Sequence, residues 1–292
     1  MSGPNPQHRL GIALVLAAAV AWSTAPFFTR LLPFDSWTIL FWRGLFGGGV
    51  IAALLVLTHG RAGLRDLAGM GKISWLVASL STLGMVTFIP ALQLTSVSNV
   101  AIIMATGPFA AAALARLWLR ETARWQTLLA GAVALGGVAM IVGGARAGPD
   151  GLGIALACFM TLAIATMTVV IRRHRDTPML AAAALSNILG CVVSIPFARG
   201  IATVTGVDLV IIAMFGFFQV ALGLTLYMLG SRLLPSAQAS LIATLETPLM
   251  PLWVWLAFQE APAPRALVGG ALVMGAVIAD VVGDMRAQRQ NV

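Results

Sequence analysis

The chain has 292 residues, of which 59% are hydrophobic and only 10% charged, and its mean hydropathy is +0.94. A soluble domain carries about 25% charged residues, so this composition excludes a water-soluble surface; at about 20 residues per crossing it provides for about ten membrane spans. The formal charge of +8 on so apolar a chain is that of basic residues gathered at membrane boundaries and not of a nucleic-acid binder.

Runs of about 20 apolar residues bounded by charge, Pro or Gly predict spans at 10–32, 37–58, 74–94, 97–117 and 125–143, then at 151–171, 178–198, 208–230, 236–257 and 265–283. The first run follows Arg9 and contains Ala19-Val20-Ala21, the small-residue pattern of a secretory signal. It continues to Leu32, long enough to cross, and is expected to stay as a span. Cys158 and Cys191 fall inside apolar runs, where a free thiol acts as a small hydrophobe and no disulfide is needed.

The eighteen basic residues test this partition independently, because positive charge gathers on the cytoplasmic side of short loops. With the N-terminus cytoplasmic, the inner ends carry Arg9, Arg61, Arg65, Lys72, Arg116, Arg120, Arg124, Arg172, Arg173, Arg175, Arg232, Arg286 and Arg289. The outer ends carry only Arg30, Arg146, Arg199 and Arg265, and Arg43 lies within span 2. Adding or losing one span would scramble that asymmetry. Both termini are therefore expected in the cytoplasm, with the chain in a bacterial-type inner membrane.

A repeat of about 139 residues relates the halves. Residues 128–136 fall on 267–275, Glu121 falls on Glu260, Pro108 on Pro248 with a one-residue slip, and Gly11 roughly on Gly151. A duplicated unit with an odd number of spans inserts its second copy upside down. The expected fold is all-α and integral to the membrane: ten transmembrane helices as two inverted five-helix repeats, 10–143 and 151–284. Such inversion lets one central site face each side of the membrane in turn.

Polar side chains in lipid are costly, so those inside spans are expected to face the bundle interior. Glu246, between Thr244 and Thr247 with Pro248 and Pro251 following, is the sharpest case, and Arg43 is the basic residue well inside a span. Both are coupling candidates, and they can pair. Glu246 has two open roles, as a partner for a proton or substrate amine and as a structural acceptor; for Arg43 the structural role leads. Proline inside a helix frees a carbonyl and bends the chain, which marks Pro26, Pro90, Pro108, Pro196, Pro248 and Pro251 either as pathway walls or as packing bends. Near the expected midplane lie Trp22, Ser23, Thr24, Thr87 and Thr106, and in the other half Thr161, Asn187, Gln219 and Thr244. These neutral groups among Phe, Met and Leu suit a neutral or zwitterionic ligand with an apolar body. Trp22 is equally suited to lining a cavity and to core packing, whereas Trp37, Trp75, Trp118, Trp125, Trp253 and Trp255 lie nearer span ends as interface anchors. The glycines of spans 2, 5 and 10, among them Gly44, Gly48, Gly137 and Gly269, are those of close helix packing.

Gly71-Lys72 is followed by Ile73, so the phosphate-cradling loop of nucleotide hydrolases is absent and no ATPase domain is expected in the chain. His8, His59 and His174 are scattered, with no clustered ligands for a metal and no Ser-His-Asp set. No cofactor is expected. A transporter is favoured over an enzyme, and a membrane-embedded transferase stands as the rival from another class.

The Trp-Ser-Thr stretch in span 1, mid-span Pro108 followed by Leu119-Arg120-Glu121, the Gly-rich span after it, and their echo in Pro248, Phe258-Gln259-Glu260 and Gly270 resemble the EamA pattern of the drug/metabolite transporter superfamily. Within it the chain most resembles the YddG-type bacterial exporters of aromatic amino acids. That resemblance implies a basket-like helical fold around a central cavity and outward movement of an aromatic or other apolar amino acid, or a related metabolite, by alternating access. Another small metabolite or a drug is the alternative cargo on the same fold. Span 1 carries no Asp or Glu, a departure from the small four-span relatives, whose carboxylate there exchanges cations for protons. The partners implied are a small-molecule substrate and the lipid bilayer, and a monomer is compatible with them.

Overall fold

A computed structural model describes residues 6–60, 63, 65, 69–119, 125–142, 148–174, 179–234, 239 and 242–290. Arg61, Arg120, Glu121, Arg124, Arg146 and Arg175, which enter the charge and motif arguments, lie outside the described residues.

Among the described residues the chain is helical. In order come α1 (Pro6–Ser23), α2 (Ala25–Leu31), α3 (Ser36–His59), α4 (Lys72–Leu94), α5 (Val97–Ala105), α6 (Gly107–Leu119), α7 (Trp125–Val142), α8 (Pro149–Arg173), α9 (Met179–Ser194), α10 (Gly206–Phe215), α11 (Gly223–Ser231), α12 (Glu246–Phe258) and α13 (Pro264–Gln290). A widened π-helical stretch, Gly216–Leu222, joins α10 to α11. Among the described residues six stretches are long and apolar enough to cross a bilayer: Pro6–Leu31, Ser36–Thr58, Lys72–Leu94, Val97–Trp118, Pro149–Ile171 and Gly206–Ser231. Leu129–Met140, Leu180–Ser194 and Ala266–Ala279 are shorter apolar helices. Exposed Leu, Val, Ile and Phe side chains cover the outside of the bundle, the surface expected of a protein whose solvent there is lipid.

The prolines act in three ways. α1 gives way to α2 at Thr24, and α5 to α6 at Thr106, each two residues before a proline (Pro26, Pro108) that cannot donate to the preceding turn. The Thr24 and Thr106 hydroxyls donate back to Ala21 O at 2.6 Å and Ile103 O at 2.7 Å, satisfying carbonyls at the breaks. A third break, at Thr244 and Leu245, precedes α12. Pro90 and Pro251 remain inside their helices. Pro196, expected as a bend within span 7, instead lies beyond the end of α9 at Ser194, because it has no N–H to continue the ladder.

The principal helix contacts are α4 with α8, α1 with α11, α3 with α9, α7 with α13, α4 with α9, α3 with the Gly216–Leu222 stretch, α6 with α8, and α5 with α12. Glycine allows the tightest of them. A Cβ on Gly44 would come within 2.9 Å of the Asn187 carbonyl of α9, and one on Gly137 within 2.9 Å of the Gly269 carbonyl of α13.

One end of the bundle is stitched by polar contacts. Arg30 at the end of α2 bonds Glu260 beyond α12, Nε to Oε2 at 3.0 Å and Nη2 to Oε1 at 3.2 Å. Thr95 beyond α4 donates to Asp150 of α8 at 2.6 Å, and Ser36 of α3 donates to Gln93 of α4. Asp35 caps α3 by accepting from Trp37 N at 3.0 Å and Thr38 N at 3.1 Å, while Thr38 Oγ1 donates to its other oxygen at 2.7 Å. Partial burial opposes ionisation of Asp35, but these bonds and one from Arg199 N outweigh it and hold the carboxyl below its usual range.

Candidate functional site: a polar-floored cavity between the broken helices

Between these helices lies a cavity of about 560 Å³, within the roughly 300–1,000 Å³ of small-molecule sites. Its polar lining is Trp22 of α1, Arg43 of α3, Ser81 of α4, Ser186 and Asn187 of α9, Gln219 of the π-helical stretch, Tyr227 of α11 and Glu246 of α12. Its apolar lining includes Met85, Met104, Met160, Met167 and Met228, with Phe88. On α8, α9 and the Gly206–Ser231 stretch the lining residues keep to the half nearest Arg173, Met179 and Ser231, away from the stitched end.

All three helix breaks border this space: Trp22 and Met104 stand two residues before the breaks at Thr24 and Thr106, and Glu246 opens α12 after the third. Trp22 packs against Gly223, where a Cβ would come within 2.5 Å of the indole, and tilts against Tyr227 with centroids 5.1 Å apart. Arg43 is 2% exposed. Its Nη1 donates to Gln219 Oε1, and its Cζ lies 5.3 Å from the Phe215 ring centroid, a cation–π distance. Gln219 owes its position to the widened turn, a distortion common at functional sites.

Two portions of the chain, residues 9–143 and 151–279, each match the EamA-like transporter family. The chain belongs to that family. It is thus a multi-pass membrane protein of a transporter family, as its motifs imply. A crystal structure of a protein, one of 26 matching solved chains, is similar to this EamA chain with a TM-score of 0.66 and 17% identity, over 92% of this chain and 96% of the other. At that identity the likeness concerns the fold alone. No curated protein matches the sequence.

The EamA fold brings together only some of the residues singled out from sequence. Trp22, Arg43, Asn187, Gln219 and Glu246 line the cavity. Arg43 bonds Gln219 and makes no ion pair with Glu246; among the described residues the salt bridge is Arg30–Glu260. Ser23 is buried beside the cavity, donating to Val20 O at 2.7 Å and accepting from Trp253 Nε1 at 2.8 Å. Trp253 therefore holds α12 to α1, and its indole N–H turns inward where an interface anchor was expected. Thr87 and Thr161 return their hydroxyls to their own helices, at Leu83 O (2.7 Å) and Ala157 O (2.9 Å). Thr24, Thr106 and buried Pro26 shape the breaks without lining the cavity, and Thr244 sits at the third break. Pro108 and Pro248 are exposed; Pro248 borders a separate apolar groove with Pro251, Trp255 and Gly270.

Sequence reasoning missed Tyr227 and the individual cavity methionines. Tyr227 is the chain's single tyrosine and sits well inside a span, a signal in itself. Met160 and Met167 lie seven residues apart, on one face of α8 with Ile164 between them.

Proposed function

We propose that the protein is a secondary exporter of amino acids, aromatic or otherwise apolar, working by alternating access as a uniporter or in exchange for protons. It would comprise ten spans in two inverted units, 10–143 and 151–284, with both termini in the cytoplasm of a bacterial-type inner membrane. The substrate pathway would run past Trp22, Arg43, Gln219 and Glu246, with Ser23, Thr24, Pro26, Thr87, Thr106, Pro108, Thr161, Thr244 and Pro248 forming the bends and supports of its walls.

The observation that carries this reading is a cavity at three helix breaks holding Arg43 and Glu246, a guanidinium and a carboxyl group that form no ion pair with each other. Such a space complements a molecule bearing both charges on an apolar body, and helix breaks supply backbone polar groups to it. The pairing of helices supports the inversion. Renaming each span by its counterpart five places on turns the α4–α8 contact into α11–α1, and α4–α9 into the contact of Gly216–Leu222 with α3. The α3–α9, α5–α12 and α7–α13 contacts map onto themselves. The distribution of basic residues supports an outward-facing stitched end, which would give the cavity of this conformation to the cytoplasmic half.

Counterflow into liposomes tests the function. Vesicles containing the purified protein and loaded with unlabelled amino acid are expected to accumulate labelled phenylalanine transiently. Uptake no greater than in empty vesicles for every amino acid tried would refute it.

A further inference from the structure

Among the described residues, Arg43 and Asn187 line the cavity and each holds one buried side-chain atom that no hydrogen bond satisfies. A guanidinium offers five N–H donors; Gln219 accepts at Nη1, yet Arg43 Nε is buried with no partner. Asn187 is 3% exposed. Its Nδ2 donates to Ala183 O at 2.9 Å, while Oδ1 is buried with no partner. The two residues adjoin, because Gly44, next to Arg43, packs on the Asn187 carbonyl. Glu246 lines the same cavity and has no hydrogen-bond or ion-pair partner among the described residues.

Buried polar groups in folded proteins are paired, and an orphan costs more than a hydrogen bond returns. Here the unmet needs have opposite sense: a cationic donor lacks an anion, and a neutral acceptor and a carboxylate lack a cationic donor. Glu246 does not supply the missing anion, since Arg43 turns to Gln219 instead.

We infer that Arg43 receives the carboxylate of the cargo and that Asn187 Oδ1 and Glu246 receive its ammonium group, so that the protein selects free α-amino acids against molecules carrying only one of the two charges. This rests on the export reading and assigns the residues that set its specificity. The fork of Arg43 suits a planar carboxylate with two parallel bonds. Gln219 and Phe215 are positioning residues: an amide holds the guanidinium without neutralising it, and a ring face attracts its charge. The methionines opposite give the cargo's side chain a polarizable surface that adapts to shape.

The decisive series uses the wild-type protein with three probes: L-phenylalanine, 2-phenylethylamine, which lacks the carboxylate, and 3-phenylpropionate, which lacks the amine. Each single-charge analogue is expected to compete in phenylalanine counterflow at least tenfold less well than phenylalanine, since each leaves a buried group unpaired. Gln219→Glu would place an anion beside Arg43 within the protein; it is expected to keep its thermal stability and to lose at least tenfold in phenylalanine competition, while 2-phenylethylamine loses less. Arg43→Lys is expected to narrow the gap between phenylalanine and the amine.

The inference is overturned if 2-phenylethylamine competes as well as phenylalanine, or if Gln219→Glu leaves phenylalanine unaffected. Ligand-induced thermal stabilisation of the detergent-purified protein separates the two levels. Stabilisation by phenylalanine but by neither analogue, without counterflow, would remove the export reading and keep the receptor assignment. Absence of both counterflow and stabilisation would overturn the assignment together with the export reading.

Discussion

Arg30 and Glu260 clasp each other through two hydrogen bonds across the C-terminal ends of α2 and α12, the helices that continue beyond the breaks at Thr24 and Leu245. Arg30 Nη2 also reaches Thr95 O at 3.4 Å, which adds the end of α4. Both side chains are partly exposed, at 24% and 35%. A pair of that kind contributes at most about 1 kcal/mol, enough to bias two conformations of similar energy without locking one.

On the proposed orientation this stitched end faces outward, and breaking the clasp is expected to open it. With Cys158 and Cys191 replaced and a cysteine at Ser98, which is buried, an impermeant maleimide added outside should react several-fold faster in Arg30→Ala or Glu260→Ala than in the parent. The exchanged pair Arg30→Glu with Glu260→Arg should restore slow labelling. Equal rates in all four proteins would show that the contact does not hold the outer end closed.

Gly223→Val is expected to dislodge Trp22, since a Cβ there would lie 2.5 Å from indole Cδ1 and Nε1. Overpacking of this kind costs about 1–3 kcal/mol, and the displaced ring would fill part of the cavity. Thermal unfolding should shift down and counterflow should fall. Gly275→Ala is the matched control: nothing lies within 4 Å of a Cβ there, and alanine favours a helix by up to about 1 kcal/mol.

The helices, their breaks and the repeat were legible because they rest on local chemistry. Lipid forces a chain this apolar into helices that pair their own backbone groups, and a proline blocks the hydrogen bond of the turn before it wherever its helix sits. The rotation of each helix about its axis was not legible. A helix apolar all round has no polar face to orient it, so nothing in the pattern indicated that Pro108 and Pro248 would be exposed. The same ambiguity hid the turn of Trp253 toward Ser23. Thr87, Thr106 and Thr161 shared the midplane signal with Gln219, yet a threonine can satisfy itself on its own helix carbonyls, as these do. Gln219 has no such close outlet and reaches across to Arg43.

Asp35→Ala is expected to destabilise the protein by about 0.5–2 kcal/mol through loss of the α3 cap, and Asp35→Asn by less. Because the folded carboxyl titrates below its ordinary value of 3.8, its contribution is fully present above that value and fades as pH falls through the lower folded one. Thermal melts should therefore separate wild type from Asp35→Asn at neutral pH and converge in strong acid. A gap that does not narrow in acid would contradict the capping role.

Glu246→Gln tests whether protons take part. If protons compete with the cargo's ammonium group at this carboxylate, wild-type counterflow slows on acidification and the variant's becomes independent of pH. Arg43 and Tyr227 are the other ionisable groups lining the cavity, and neither changes charge in mild acid from its ordinary value. Unchanged pH dependence in Glu246→Gln would assign this carboxylate to binding or structure alone.

Alternating access through this cavity requires the second five-span unit to lie upside down relative to the first. Single cysteines at Ser2, Ala147 and Asn291 in cells, probed with an impermeant maleimide, test that most directly. Labelling of Ala147→Cys in intact cells, with Ser2→Cys and Asn291→Cys labelled only after permeabilisation, is the expected result. Terminal cysteines that label from opposite faces would contradict it.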